Sequence, residues 1–190
     1  MIESTLTTDA IWDLLQRGGA VRFGHFGLGP GRHTDRWLAR FAALEDPRAT
    51  AALARALLAK LVASAGAARF DLVLVVDEIE DYVLGFECAR ELGVPVVGVS
   101  SRDGILVPSR RVTAGARVLF VGDTFPDPLP YQAALGFLRG NGCELGAVAV
   151  LADAGRDGVP PVALVSVADH VWSTAECPLC AQHVPLQRVS

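Results

Sequence analysis

The chain has 190 residues, a length typical of one domain with a substantial hydrophobic core. Its net charge of −4 argues against broad nucleic-acid binding, which requires clustered positive charge. No apolar run approaches the roughly 18 residues of a membrane span, and the N-terminus lacks the features of a secretory signal. We therefore expect a cytoplasmic protein that binds neither nucleic acid nor membranes.

Residues 1–45 predict a short helix followed by a small ribbon, and we call this segment the hood. A helix cap at Thr8-Asp9 precedes an amphipathic run that ends at Gly18-Gly19. A weakly alternating segment follows, and the chain then breaks at Gly29-Pro30-Gly31. The predicted elements are a helix over residues 10–15 and strands over residues 20–26 and 37–40.

The middle of the chain repeats a unit of strand, loop and helix. Asp46-Pro47 opens a long helix that runs to about Ala65, since proline suits the first turn of a helix. Residues 70–76 are a continuous apolar run, typical of a strand buried on both faces. Further strands are predicted over residues 94–99, 117–121 and 145–151, and further helices over residues 82–92 and 131–139. This alternation predicts an α/β fold with a mostly parallel, twisted sheet flanked by helices.

In such a sheet, ligands bind where the strands end at their carboxyl termini, here after Val76, Val99 and Val121. Acidic side chains are concentrated at two of these places. They are Asp77 and Glu78 after the first core strand, and Asp123 and Asp127 after the third. These acids are candidate oxygen ligands for a hard divalent cation, or solvated loop residues that bind nothing.

Four segments at compatible spacing carry a resemblance to a known family. They are GHFGLGPGRHTD at residues 24–35, VLFVGDTFPDPLP at 118–130, RGNGCELGAVAVLAD at 139–153 and ECPLC at 176–180. In this order they resemble segments of the type I phosphoribosyltransferases, and most closely those of the orotate phosphoribosyltransferase branch. The resemblance implies a single domain of that fold over residues 1–190, with the hood, a core at 46–155 and a C-terminal extension at 156–190.

The resemblance also implies a reaction, in which ribose 5-phosphate passes from phosphoribosyl pyrophosphate to a base such as orotate, with Mg²⁺. It further implies a homodimer, because family members complete their active sites across a two-fold interface. Under this reading Asp123 would hold the ribose, Thr124 and Arg111 would contact the substrate, and Arg102 or Arg110 would act at the pyrophosphate. Gly31, Arg32 and Trp37 would lie at the base.

Three elements depart from the family's pattern. Backbone amides of a small-residue loop normally bind the pyrophosphate, but residues 77–81 of this chain read DEIED. Only Asp123 remains of the acidic pair in the donor motif, and prolines at 126, 128 and 130 remove amide donors from the phosphate loop. The segment at residues 100–111, which corresponds to a mobile family loop, contains arginines and no lysine.

These departures leave two alternatives to the transferase. One is a non-catalytic ligand sensor or partner protein on the same fold. The other is a repurposed metal-dependent enzyme that uses Asp77, Glu78, Asp123 and Asp127 as ligands.

A separate metal hypothesis comes from the C-terminal segment, where Cys177 and Cys180 with His183 have the spacing of half a zinc site. Cys143, His170 or a second subunit would have to complete the four ligands of such a site. The alternative is a compact turn without metal. We expect the other histidines, His25, His33 and His170, to pack or to form hydrogen bonds, because the sequence shows no partner for them.

Overall fold

The computed structural model describes residues 6–187 except 40, 67, 77, 103–104, 125–127, 154–160 and 167–169. For residues 65, 101–102, 105, 124, 128–131 and 133 it describes the backbone alone. The helices are α1 (Thr8–Arg17), α2 (Pro47–Ala65), α3 (Ile79–Leu92), α4 (Pro128–Gly140) and α5 (Pro178–Ala181). The strands are β1 (Val21–Gly27), β2 (Arg32–Leu38), β3 (Leu72–Val76), β4 (Val96–Arg102), β5 (Ile105–Pro108), β6 (Arg117–Thr124), β7 (Glu144–Asp153), β8 (Val162–Ser166) and β9 (Val171–Ser173).

The larger sheet has six strands in the order β5-β4-β3-β6-β7-β8. All neighbours are parallel except β4 and β5. Alternate residues of the central strands enter two different clusters of buried side chains. Val73 and Val75 pack with α1, α2 and α3, whereas Leu72 and Leu74 pack with α4. Helices therefore cover both faces of the sheet, which confirms the predicted α/β fold.

Helix α2 has the bounds that the sequence predicts. The Asp46 side chain accepts a hydrogen bond of 2.8 Å from the Arg48 amide, and Pro47 occupies the first helical position. Helix α3, in contrast, begins at Ile79, three residues before its predicted start. Glu80 and Asp81 therefore lie in the first turn of a helix and not in a loop, a position where carboxylates stabilise the helix N-terminus.

The predicted strand at residues 94–99 is longer than expected and turns back on itself. Strand β4 continues to Arg102, and β5 returns antiparallel to it, pairing Val99 with Pro108 and Ser101 with Leu106. The segment that corresponds to the mobile loop of the family is therefore largely an edge hairpin of the sheet.

The hood forms a second, three-stranded antiparallel sheet in the order β1-β2-β9. Its second strand starts at Arg32, earlier than predicted, directly after a turn in which Gly31 has a φ of 72°. The third strand comes from the C-terminal extension, whose other strand, β8, lies at the edge of the larger sheet. The sheet of the hood is thus completed by β9, a strand from the C-terminal extension. Among the described residues, no helix is long and apolar enough to cross a membrane.

Candidate active site and a histidine-cysteine cluster

The carboxyl end of β6 holds Asp123, whose side chain is buried at 3% exposure. Its backbone N–H donates a hydrogen bond of 2.8 Å to Oδ1 of Asp81, which is 6% exposed in the first turn of α3. Leu74 of β3 pairs with Phe120 of β6, so the two strands end at the same edge of the sheet. The structure thus places two buried acids at the edge where ligands are expected.

This hydrogen bond changes what the edge can bind. A backbone amide at the end of a strand is a natural donor to a phosphate oxygen, but here the Asp123 amide donates to a carboxylate of the protein itself. Glu78, the residue before α3, is exposed, and its side chain does not cap the helix. The first turn of α3 therefore presents acids to any anionic ligand, which repel it unless cations intervene.

Helix α3 packs closely against the sheet because a glycine lies on each side of the contact. A Cβ at Gly98 of β4 would overlap the hydroxyl of Tyr82, and a Cβ at Gly85 of α3 would overlap Cγ1 of Val75. Tyr82 therefore lies directly over β4, next to the Asp81 turn. This packing fixes the start of α3 against the edge of the candidate site.

Arg110, a predicted pyrophosphate contact, and Arg111, a predicted substrate contact, lie away from Asp123 within one chain. Ser109 donates its amide to the Gly98 carbonyl at 2.8 Å, so the chain leaves β5 towards the amino ends of the strands. Arg110 and Arg111, both exposed, follow there. β5 is three strands from β6, or about 14 Å. The roles of these arginines stay predictions, as do those of Arg102 and Thr124, whose side chains lie outside the described part of the structure.

The predicted base contacts occupy the two ends of β2. Arg32 is half-buried beside the Gly31 turn and pairs with Ser173 of β9. Trp37 lies five residues further on, about 16 Å along the strand, and its ring is 6.4 Å from that of the buried Phe26. The structure therefore groups Gly31 with Arg32 and places Trp37 apart from them.

The acidic metal site stays a hypothesis. Asp77 and Asp127 lie outside the described residues, whereas Glu78 is exposed and Asp123 is buried. In the part of the chain that the structure describes, neither of these two joins a cluster of three or more metal-ligating side chains.

One such cluster does exist, between the hood and the C-terminal segment. It consists of His25 on β1, His33 on β2, Cys177 before α5 and Cys180 within α5. His25 Nε2 is 2.9 Å from His33 Nδ1, 3.5 Å from Cys177 Sγ and 3.6 Å from Cys180 Sγ. His33 Nδ1 is 3.1 Å from Cys180 Sγ. All four potential ligand atoms lie within 4.8 Å of one another.

The cluster contains both predicted cysteines but different partners. His183 is an exposed residue with a φ of 56° and is outside the cluster. His170 pairs with Asp35 at 3.0 Å, and Cys143 Sγ lies 3.4 Å from the Thr113 carbonyl oxygen. His25 and His33 complete the group of four, and they also form the hydrogen bonds that were predicted for them. The sequence signal for them was their position on either side of the glycine-rich turn of the ribbon.

The chain was compared with family models, curated proteins and solved structures. No family model matches it. It is 27% identical to the orotate phosphoribosyltransferase of Pelotomaculum thermopropionicum over 186 residues, 95% of each chain. It is 33% identical to that of Sphingopyxis alaskensis over 180 residues, 91% of each chain.

Among solved structures, it resembles orotate phosphoribosyltransferase from Aeropyrum pernix with a TM-score of 0.70 and 24% identity, covering 83% of this chain and 93% of that one. It resembles the Mycobacterium tuberculosis enzyme with inorganic phosphate with a TM-score of 0.62 and 22% identity, covering 85% and 96%. The fold is therefore that of a type I phosphoribosyltransferase, as the sequence predicted. The identity to the Sphingopyxis protein, over nearly the whole of both chains, shows that this chain belongs to the orotate phosphoribosyltransferase family.

Proposed function

We propose that this protein transfers ribose 5-phosphate from phosphoribosyl pyrophosphate to a pyrimidine-like base such as orotate. The observation that carries the proposal is the match to orotate phosphoribosyltransferases along 85–95% of the chain. The match therefore includes most of the hood, the sheet and the C-terminal extension together. A fold on its own would not support a particular reaction.

In this reaction the bond from C1 of the ribose to pyrophosphate breaks, and a bond from C1 to a base nitrogen forms. The intermediate state resembles an oxocarbenium ion, so the protein contributes mainly positioning and charge stabilisation. Asp123, at the end of β6, is the residue that we assign to the ribose. Its main chain is fixed by the hydrogen bond from its amide to Asp81, which holds the residue in place for this role.

Mg²⁺ is part of the proposal. The acids at this edge are hard oxygen ligands, and Mg²⁺ usually binds one or two carboxylates together with phosphate oxygens and water. Glu78 and Asp123 fit that donor set, and Asp77 and Asp127 are further candidates from the sequence. When bound, the ion would offset the negative charge of the pyrophosphate beside the acidic turn of α3.

We also propose a homodimer in the cytoplasm. Arg110 and Arg111 are remote from Asp123 in their own chain, so a role at the donor requires a second copy or a rearranged hairpin. On α3, Ile79 and Phe86 are 65% and 57% exposed, and Phe86 lines an apolar groove with Pro47. Such a surface suits a second copy of the chain. Sedimentation of the wild type and of Phe86→Glu tests this, since a dimer should dissociate in the variant and a monomeric wild type would refute it.

One observation favours a second candidate function, which is ligand binding without transfer. The Asp123 amide is already bound to the Asp81 carboxylate, and acids occupy the turn where the family offers free amides. Under this alternative the protein binds a base or nucleotide at the hood and does not bind the donor.

The test is a calorimetric titration with phosphoribosyl pyrophosphate, with and without Mg²⁺, followed by an assay of orotate consumption and pyrophosphate release. Micromolar donor binding together with turnover, both reduced in Asp123→Asn, supports the transferase. No donor binding at millimolar concentration with Mg²⁺ refutes it. Binding of orotate or its nucleotide under those conditions then supports the second candidate.

A further inference from the structure

We propose that His25, His33, Cys177 and Cys180 form a structural zinc site that joins the hood to the C-terminal segment. The proposal is independent of the phosphoribosyl transfer, because the four residues lie on the hood sheet and on the turn around α5. The larger sheet and its carboxyl edge contribute no ligand to it.

The separations of the four ligand atoms match a tetrahedral N₂S₂ site. With Zn–N near 2.05 Å and Zn–S near 2.3 Å, tetrahedral angles require about 3.4 Å between nitrogens and about 3.6 Å between nitrogen and sulfur. The structure has 2.9 Å between the imidazole nitrogens of His25 and His33. Three of its four nitrogen-sulfur separations are 3.1, 3.5 and 3.6 Å, and no two of the four ligand atoms are more than 4.8 Å apart. Shifts of at most about 1 Å would place all four around one ion.

The hydrogen bond that His25 makes outside the cluster determines its tautomer, and so determines which ring nitrogen presents a lone pair to the cluster. Nδ1 of His25 lies 2.7 Å from the Val184 carbonyl oxygen, which accepts only, so Nδ1 carries the hydrogen. In a neutral imidazole, Nε2 then presents its lone pair to His33 Nδ1, Cys177 Sγ and Cys180 Sγ. One lone pair accepts one good hydrogen bond, whereas a single cation satisfies all these groups. A carbonyl on the outer nitrogen is also the usual support of a metal-binding histidine.

Charge and burial indicate zinc in particular. His25 and Cys177 are each only 2% exposed, so an ion here must be neutralised by its ligands. Two cysteine thiols that release their protons to solvent supply two negative charges, which balance Zn²⁺. Two thiolates and two imidazoles are a common ligand set for structural zinc. All four coordination positions come from the protein, so the ion has no open position for catalysis.

The site would attach the hood to the C-terminal segment around α5. His33 and Cys180 are 147 residues apart in sequence, so one ion closes a loop through the whole core. His33 immediately follows Arg32 in β2, and the neighbouring strand β1 accepts a hydrogen bond of 2.6 Å at the His25 carbonyl oxygen from the Gln187 amide. Zinc therefore should hold the Gly31-Arg32 turn in place, and its loss should loosen the hood before it disturbs the larger sheet.

The first test is the metal content of the full-length protein, purified in a reducing buffer without chelator or affinity metal. We expect about one zinc per chain, and its loss in His33→Ala and in Cys180→Ser. The matched controls are His183→Ala and Cys143→Ser, which remove the same side chains outside the cluster and should keep the zinc. Zinc retained by the cluster variants, or lost equally in the controls, overturns the proposal. A different metal in the wild type, or a Cys177–Cys180 disulfide without metal, also overturns it.

A second measurement avoids variants that fail to fold. The wild type is stripped with a chelator under reducing conditions and titrated with Co²⁺, which should give the visible absorption of tetrahedral cobalt with thiolate ligands. One equivalent of Zn²⁺ should abolish that absorption and raise the unfolding temperature by several degrees. The absence of cobalt absorption in a stripped protein that keeps its far-UV circular dichroism would refute the site.

Discussion

The two polar regions of this molecule satisfy their buried groups in opposite ways. At the carboxyl edge of the larger sheet, the buried Asp81 accepts a hydrogen bond from the main chain of Asp123, so the interaction is completed within the fold. In the hood, four lone-pair groups converge within 4.8 Å, and hydrogen bonding between them serves only part of the set. The Asp81 carboxylate therefore has a hydrogen-bond partner within the fold, whereas the cluster gains most from a cation.

The largest expected effect concerns thiol reactivity, which reports directly on the cluster. In the zinc-loaded protein, Cys177 and Cys180 should react with an alkylating reagent orders of magnitude more slowly than after chelation, because metal coordination removes their nucleophilicity. Cys143, which is half-buried, should react in both states. Cys88 should react only on unfolding, since burial, together with Glu87 and Glu91, raises the pKa of its thiol to about 12. Mass spectrometry of the labelled peptides measures all four.

Equal labelling of Cys177 and Cys180 with and without chelator would contradict this difference between the two regions, because the cluster would then hold no metal. Cys88 serves as the internal control for global unfolding. If it is labelled together with the cluster cysteines, chelation has unfolded the domain and not the hood alone.

The next effect tests the edge. Asp81→Ala removes the acceptor of a buried N–H, and we expect it to lower the free energy of unfolding by about 2–3 kcal/mol. Asp81→Asn keeps a side-chain oxygen and should cost less. Glu80→Ala, on the same helical turn but half-exposed, should change stability by less than about 0.5 kcal/mol. Urea denaturation measures all three, and a cost for Glu80→Ala equal to that of Asp81→Ala would disprove the special role of Asp81.

Much of the fold was readable from the sequence. The apolar run at 70–76, the Asp46-Pro47 helix start and the regular alternation of elements depend on local periodicity and capping, which the sequence states directly. The predicted start of α3 was wrong because a run of acidic residues was taken to indicate a loop. Carboxylates also stabilise the first turn of a helix, which is where Glu80 and Asp81 lie. β5, β8 and β9 were not predicted, and β5 and β9 have only four and three residues, which carry too little pattern. Pairing with a neighbouring strand defines them.

The metal cluster was only half predictable, for a physical reason. The Cys-x-x-Cys spacing is local, so the sequence contained two ligands and suggested the nearby His183. The pairing of β1 with β2 brings the two histidines together, and the pairing of β2 with β9 joins residues about 140 positions apart. Their separation of eight residues across a hairpin does not predict a contact until the strand register is known.

A smaller effect tests how tightly the edge is packed. Gly98→Ala introduces a Cβ that overlaps the Tyr82 hydroxyl, and we expect it to cost about 1–2 kcal/mol. Tyr82→Ala in the same protein should recover part of this cost, because the obstructing ring is gone. Gly136→Ala, which meets nothing within 4 Å on α4, should instead stabilise the protein by about 0.5–1 kcal/mol. Additive effects of Gly98→Ala and Tyr82→Ala would show that the two residues do not contact in solution.

The smallest expected effect links the two regions through substrate. Arg32 follows the Gly31 turn and precedes His33, so Arg32→Ala should raise KM for the base threefold to tenfold, about 1 kcal/mol, with a smaller change in kcat. Trp37→Leu, at the far end of β2, should change KM less. Removal of zinc should reproduce the KM effect of Arg32→Ala while leaving the donor affinity unchanged, because the cluster supports the hood and not the carboxyl edge. A zinc-free protein with normal KM for the base and weakened donor binding would show that zinc supports the carboxyl edge and not the hood.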